Sequence, residues 1–195
     1  MKNLLRAAVA ATTALVAVAA TTVPAHASYR LVSDPAGDQK PTGRCTNAPG
    51  AMALDVRKMS TTIYQDRDGG AWRMRATLRV ARLPKPKDNQ YQTFDWFAYR
   101  GGDAVFTVHA ERWTKGGKVK LAAWAADGGN PSTPGGPDLK VKTRGKTIIV
   151  WGLRLKPGKT WRFRGEATFD QWGRVGVSCS VQDVTRKSAS VGTTP

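Results

Sequence analysis

Histidine, glutamate and cysteine are nearly missing from this chain, and each shortage narrows its chemistry. Two histidines and two cysteines occur in 195 residues, and the glutamates are Glu111 and Glu166 alone. There is no Gly-x-Ser-x-Gly turn, no His-Glu-x-x-His, no Cys-His couple and no phosphate loop. Nucleophilic, zinc-hydrolase and nucleotide chemistry therefore have no sequence basis, and the chain is not expected to be an enzyme. The carboxylate pair of a glycoside hydrolase needs least. Glu111 and Glu166, helped by Asp95, Asp103 or Asp170, are its remaining candidates. Acidic residues are also few, 14 against 31 lysines and arginines, for a formal charge of +17. Helical patterning is lacking too. No stretch beyond residue 27 keeps apolar residues at i, i+3, i+4 and i+7 for three turns, and none is long and apolar enough to span a membrane.

What is present begins with Lys2 and Arg6, an Ala/Val/Leu-rich run without acidic residues, and Pro24 followed by Ala25-His26-Ala27. This order reads as a secretory signal peptide over residues 1–27, cleaved after Ala27. It predicts a secreted, extracellular protein in which His109 is the one remaining histidine. Cleavage removes only two of the positive charges, so the mature domain is drawn to anionic surfaces such as acidic polysaccharide or wall polymer. In an oxidising compartment Cys45 and Cys179 are expected to pair with each other. Closing so long a loop is worth roughly 5 kcal/mol in the chain-entropy picture.

Period-two alternation runs through the rest. Trp72, Met74, Ala76, Leu78 and Val80 oppose Arg73, Arg75, Thr77 and Arg79. Trp161, Phe163, Ala167 and Phe169 oppose Arg162, Arg164, Glu166 and Thr168. Each reads as a strand with one dry and one wet face, which places Trp72 and Trp161 in the core. Further strands are predicted at 29–32, 54–64, 91–100, 104–113, 118–126, 139–143, 147–153 and 175–181, separated by Gly- and Pro-rich turns. The fold class is all-β: an antiparallel, jelly-roll-like β-sandwich with one disulfide, a closed barrel being the alternative. One domain covers residues 28–185. Residues 35–53 read as irregular, residues 128–137 as a Gly/Pro loop, and residues 186–195 as a disordered tail.

Gly116-Gly117 predicts a two-residue hairpin turn. Lys115 then faces Lys118, Trp113 faces Lys120, Glu111 faces Ala122 and His109 faces Trp124. Phe106, Val108, Ala110, Val119, Leu121, Ala123 and Ala125 share the core side. The other side collects Trp113, Trp124, His109, Glu111 and Lys120. Two tryptophans on a polar strand face suit a platform for sugar rings, whose apolar C–H surfaces pack on indole. The alternative is a second small cluster under a loop.

The arginine rows are a second candidate, for anions. Arg73, Arg75 and Arg79 share one strand face, and Arg162 and Arg164 another. If those strands are neighbours, their guanidinium groups form one surface suited to carboxylate, sulfate or phosphate. The alternative is a solvated face balanced by Glu166 and Asp170. The rows hold no aromatic residue, which argues against nucleic acid.

Aspartates raise the question of a metal. Asp34-Pro35-Ala36-Gly37-Asp38 places two carboxylates around a turn, Asp55 opens a strand, and Asp183 lies in the last one. Calcium binds six to eight oxygens from such loops, so Asp34, Asp38, Asp55 and Asp183 form a candidate structural calcium site. Alternatively, Asp34 and Asp38 only hold the turn.

The segment Asp34-Pro35-Ala36-Gly37-Asp38, together with Leu54-Asp55-Val56, resembles secreted actinobacterial β-sandwich proteins akin to the family 9 carbohydrate-binding modules and DOMON-type domains. The resemblance implies a jelly-roll sandwich, a structural calcium near the N-terminal aspartates and, in some members, sugar binding through aromatic residues. The expected function is a secreted, non-catalytic binding module for an extracellular glycan or anionic wall polymer. A protein-interaction or inhibitor role through residues 128–137, or a carboxylate-dependent glycan hydrolase, are the alternatives.

Overall fold

A computed structural model of the protein describes residues 28–43, 45, 50–66, 70–127, 139–173, 176–186 and 188–192. The predicted leader (1–27) and the Gly/Pro loop (128–137) lie outside the described residues. In chain order the strands are β1 (Ser28–Ser33), β2 (Lys40–Gly43), β3 (Val56–Gln65), β4 (Trp72–Val80), β5 (Gln90–Arg100), β6 (Asp103–Lys115), β7 (Lys118–Asp127), β8 (Lys140–Arg144), β9 (Thr147–Leu155), β10 (Thr160–Gly173), β11 (Gly176–Val184) and β12 (Ala189–Gly192). They form two antiparallel sheets rather than a barrel. The smaller has the order β1-β3-β4-β9-β8. The larger runs β2-β11-β10-β5-β6-β7, with β12 also paired to β10. Among the described residues there is one 3-10 turn, Ala51–Ala53, and no helix long and apolar enough to cross a membrane.

Alternation explains why the sheets face each other. Met59, Met74, Leu78 and Ile148 from the smaller sheet meet Phe94, Trp96, Phe163 and Phe169 from the larger one, all fully buried. Burying each such side chain is worth about 1.5–3 kcal/mol. Trp72 and Trp161 are also core, as predicted. The sheets approach closely at Gly165, where an added Cβ would lie 2.8 Å from Leu78 Cδ1 and 2.9 Å from Met59 Sδ.

The disulfide joins Cys45 to Cys179 across a sequence separation of 134. Cys45 follows β2 and Cys179 lies within β11, so the bond ties an edge strand to its hydrogen-bonded neighbour.

Three sequence expectations need correction. Residues 35–53 are not wholly irregular, because β2 pairs with β11. Pro41 and Gly43 hide this strand, yet an edge position tolerates proline, which has no donor to offer a further neighbour. The tail beyond residue 186 is not all disordered. In β12, Ala189 and Val191 turn inward and are buried, while the strand pairs with residues 160–163 of β10. Finally, the apolar side of the β6–β7 hairpin does not stay dry to its tip. Val119 is 40% exposed, and the same side carries Arg112 and Thr114. Arg112 Nη1 donates to Gln92 Oε1 and Pro84 O, each at 2.5 Å, and Thr114 Oγ1 donates to Pro86 O. A polar plug therefore closes this end of the core.

Candidate functional site

The β6–β7 hairpin has the register its glycines predict. Gly116 and Gly117 both have positive φ, 59° and 71°, as a type I′ turn requires. Lys115 faces Lys118, Trp113 faces Lys120, Glu111 faces Ala122 and His109 faces Trp124. Trp113, Trp124, His109, Glu111 and Lys120 thus share the outer face of the larger sheet. Lys120 is exposed and the other four are half-buried.

Neighbouring strands extend this face with residues that the sequence did not place on it. On β5, Tyr91 lies opposite Trp113, Thr93 opposite Glu111 and Asp95 opposite His109. On β10, Asp170 lies opposite Tyr91 and Glu166 opposite Asp95. Trp172, 49% exposed, packs edge-on against Tyr91 with ring centroids 6.4 Å apart. The aromatic residues Trp124, Trp113, Tyr91 and Trp172 therefore occupy the successive strands β7, β6, β5 and β10. A cleft of about 500 Å³ lies over the Tyr91–Trp172 pair, bounded by Asp88, Asn89, Thr93, Glu111 and Asp170. Burial raises the Glu111 carboxyl above its ordinary value. The signal for Trp172 was available, since it continues the outward series Arg162, Arg164, Glu166, Thr168, Asp170. Tyr91 could be recognised only once β5 was known to lie beside β6.

At the other end of the face, His109 Nδ1 lies 2.5 Å from Asp95 Oδ1, and its ring stacks on Trp124. Glu166 accepts hydrogen bonds from Gln182 Nε2 at 2.7 Å and Thr168 Oγ1 at 3.1 Å. Burial, with the Asp95 charge adding to it, raises Glu166 against the lowering effect of those bonds. Glu166 does not line the cleft that holds Glu111.

The two arginine rows do not merge. Arg73, Arg75 and Arg79 lie on β4 in the smaller sheet, whereas Arg162 and Arg164 lie on β10 in the larger one. Arg164 is occupied in capping the chain at Thr185 O, through Nε at 3.3 Å and Nη2 at 3.2 Å. Arg73 Nε pairs with Asp66 at 2.8 Å, and its Nη1 donates to Gly152 O at 3.0 Å. Arg75 and Arg79 are exposed. Pairing also brings aromatic residues to this row. Tyr64 lies on β3 and Trp151 on β9, the two neighbours of β4, with Trp151 directly opposite Arg75.

Three of the four aspartates converge at the rim between the sheets, and Asp55 stands outside that group. One oxygen each from Asp34, Asp38 and Asp183 lie within 4.8 Å of one another. Arg186 secures the β1–β2 loop, its N–H donating to Asp34 Oδ1 and its Nε to Asp38 Oδ2, both at 2.8 Å. Asp55 Oδ2 accepts from Gly37 N at 3.2 Å and meets Arg57. Asp183 Oδ2 accepts from Val56 N at 2.5 Å. The remaining oxygens, Asp34 Oδ2, Asp38 Oδ1, Asp55 Oδ1 and Asp183 Oδ1, are buried without any hydrogen-bond partner. A buried carboxylate oxygen left unpaired is costly. Oxygens bound to one calcium at 2.3–2.6 Å can be separated by up to about 5 Å, so the carboxylates of Asp34, Asp38 and Asp183 fit such an ion. Burial, together with the charges of Asp38, Asp34 and Asp55, pushes the Asp183 carboxyl up to about 7.

No family model, curated protein or solved structure matches the chain.

Proposed function

We propose that the protein is a secreted, non-catalytic module that binds an extracellular glycan across the outer face of its larger sheet, with a calcium ion fixing the rim. The observation that carries this reading is the series of aromatic residues on four adjacent strands beside the carboxylates Glu111 and Asp170. Half-exposed rings offer apolar surface to the C–H faces of sugars, and carboxylates accept from their hydroxyls. Those carboxylates, with Asp88, disfavour an acidic ligand in this cleft, so a neutral or amino sugar fits best. Glu166 lies outside the cleft of Glu111, so the two glutamates do not form a catalytic pair there. The leader-like N terminus supports export, and the resemblance to carbohydrate-binding modules points the same way.

Retention on insoluble neutral and amino-sugar glycans tests the reading, with Trp172→Ala and Tyr91→Ala as variants. Wild type should bind, each variant should bind about tenfold more weakly, on the scale of one lost stacking contact, and no reducing ends should appear. Equal retention of wild type and both variants would remove the aromatic face from consideration. Release of reducing ends that Glu111→Gln abolishes would replace this reading with the hydrolase.

A further inference from the structure

The smaller sheet carries a second face of opposite character. None of its strands contains an aspartate or glutamate. On its outer surface β9 runs between two cationic rows. One is formed by Arg75 and Arg79 on β4, the other by Lys140, Lys142 and Arg144 on β8, and all five side chains are exposed. Adjacent strands are about 4.8 Å apart, so the rows flank a lane about 10 Å wide. Thr147, Ile149 and Trp151 lie along it. A cleft of about 660 Å³ opens over the lane, with Tyr64 on its far wall and Ile149 as part of its floor. Ser60 and Thr77, hydrogen-bonded to each other at 2.6 Å, line the same cleft.

We infer that this lane binds an acidic polysaccharide, lying along β9 with its carboxylate or sulfate groups directed to the two rows. Successive outward residues on a strand recur about every 6.8 Å, so the β8 row presents a charge at each outward position and the β4 row, with Thr77 between its two arginines, at every second one. Arginine binds either anion bidentately, and lysine as a point charge. Single-stranded nucleic acid would want an open ring for base stacking. Here the Lys142 ammonium already sits over the Trp151 ring, 5.2 Å from its centroid. That arrangement aims the charge into the lane and covers the ring, which favours the glycan. The face is remote from the aromatic track, on the opposite sheet, and does not rest on the function proposed above.

The test measures affinity of the intact exported chain for polygalacturonate, dextran sulfate, neutral dextran and a twenty-nucleotide oligothymidylate at two salt concentrations. Arg75→Gln/Lys142→Gln should weaken binding of at least one acidic glycan tenfold or more, and the preferred glycan identifies carboxylate or sulfate as the anion. Lys40→Gln/Lys118→Gln removes the same charge from the edge strands of the other sheet and should change affinity less than twofold. Trp113→Ala/Trp172→Ala should leave acidic-glycan binding intact, which separates this inference from the first. Equal weakening by the two charge-matched pairs would reduce the effect to net charge and overturn the proposal. So would failure to bind either acidic glycan, or tighter binding of oligothymidylate with quenching of Trp151.

Discussion

His109 lies against Trp124 with ring centroids 5.5 Å apart and planes 22° apart, while its Nδ1 lies 2.5 Å from Asp95 Oδ1. The imidazole is thereby fixed between a carboxylate and an indole, and the indole is braced in turn. Trp124→Ala should free the His109 ring, seen as a changed imidazole resonance in NMR spectra. Glycan retention should fall severalfold and Tm should change by less than about 3 °C, because both rings are only half-buried. Iodide should quench the variant's fluorescence less than that of wild type. Unchanged quenching would mean that Trp124 is not reached by solvent.

The aspartate rim predicts an unusual pH dependence when metal is chelated. Asp183 has its carboxyl raised from 3.8 to about 7 by burial and like charge, so the folded state holds its proton more tightly than the unfolded state. That contribution is complete below about pH 4 and is lost as pH rises through about 7. In EDTA, Tm should therefore fall between pH 4 and pH 7. The shift is worth at most about 4 kcal/mol, or on the order of 10 °C. Adding calcium at pH 7.5 should restore the lost degrees, and Asp183→Asn should flatten the profile and abolish the calcium response. A calcium-independent Tm at pH 7.5, with no heat of binding by calorimetry, would show that the rim holds no ion.

Gly165 leaves no room for a side chain between the sheets. Leu78 and Met59 are both fully buried, so neither can move out of the way of a new methyl group. Gly165→Ala should destabilise by about 1–3 kcal/mol, the usual range for overpacking, measured as a lower denaturation midpoint with an unchanged m-value. Combined with Leu78→Ala the loss should be smaller than the sum of the two single losses, since that change removes the atom nearest the new methyl. Additive losses would argue against a steric cause.

Legibility from the sequence followed the range of the physics. Alternation is local, so the dry and wet faces of β4 and β10 could be read directly, and Gly116-Gly117 fixed the β6–β7 register to the residue. Strand adjacency is not local. Arg75 and Arg162 looked alike in their rows, yet the topology places them on opposite sheets. Tyr64 and Trp151 are separated by 87 positions, and only β4 between them makes them part of one cleft. The aspartates could be gathered because calcium chemistry supplied a reason to look for them. The Asp95–His109 pair had no such prompt, being a contact between strands rather than a spaced motif. β2 and β12 escaped because each is only four residues long, one with a proline and the other with small side chains.

The Cys45–Cys179 bond has a consequence for self-association. It clamps β2 along the outer edge of β11, where a bare row of amide and carbonyl groups would otherwise be open to another copy. Under reducing conditions β2, all four of whose residues are exposed, loses its only covalent tether to that edge. Detachment would leave β11 as a template for strand addition between molecules. Loss of the bond should therefore appear first as concentration-dependent aggregation, before any loss of β content.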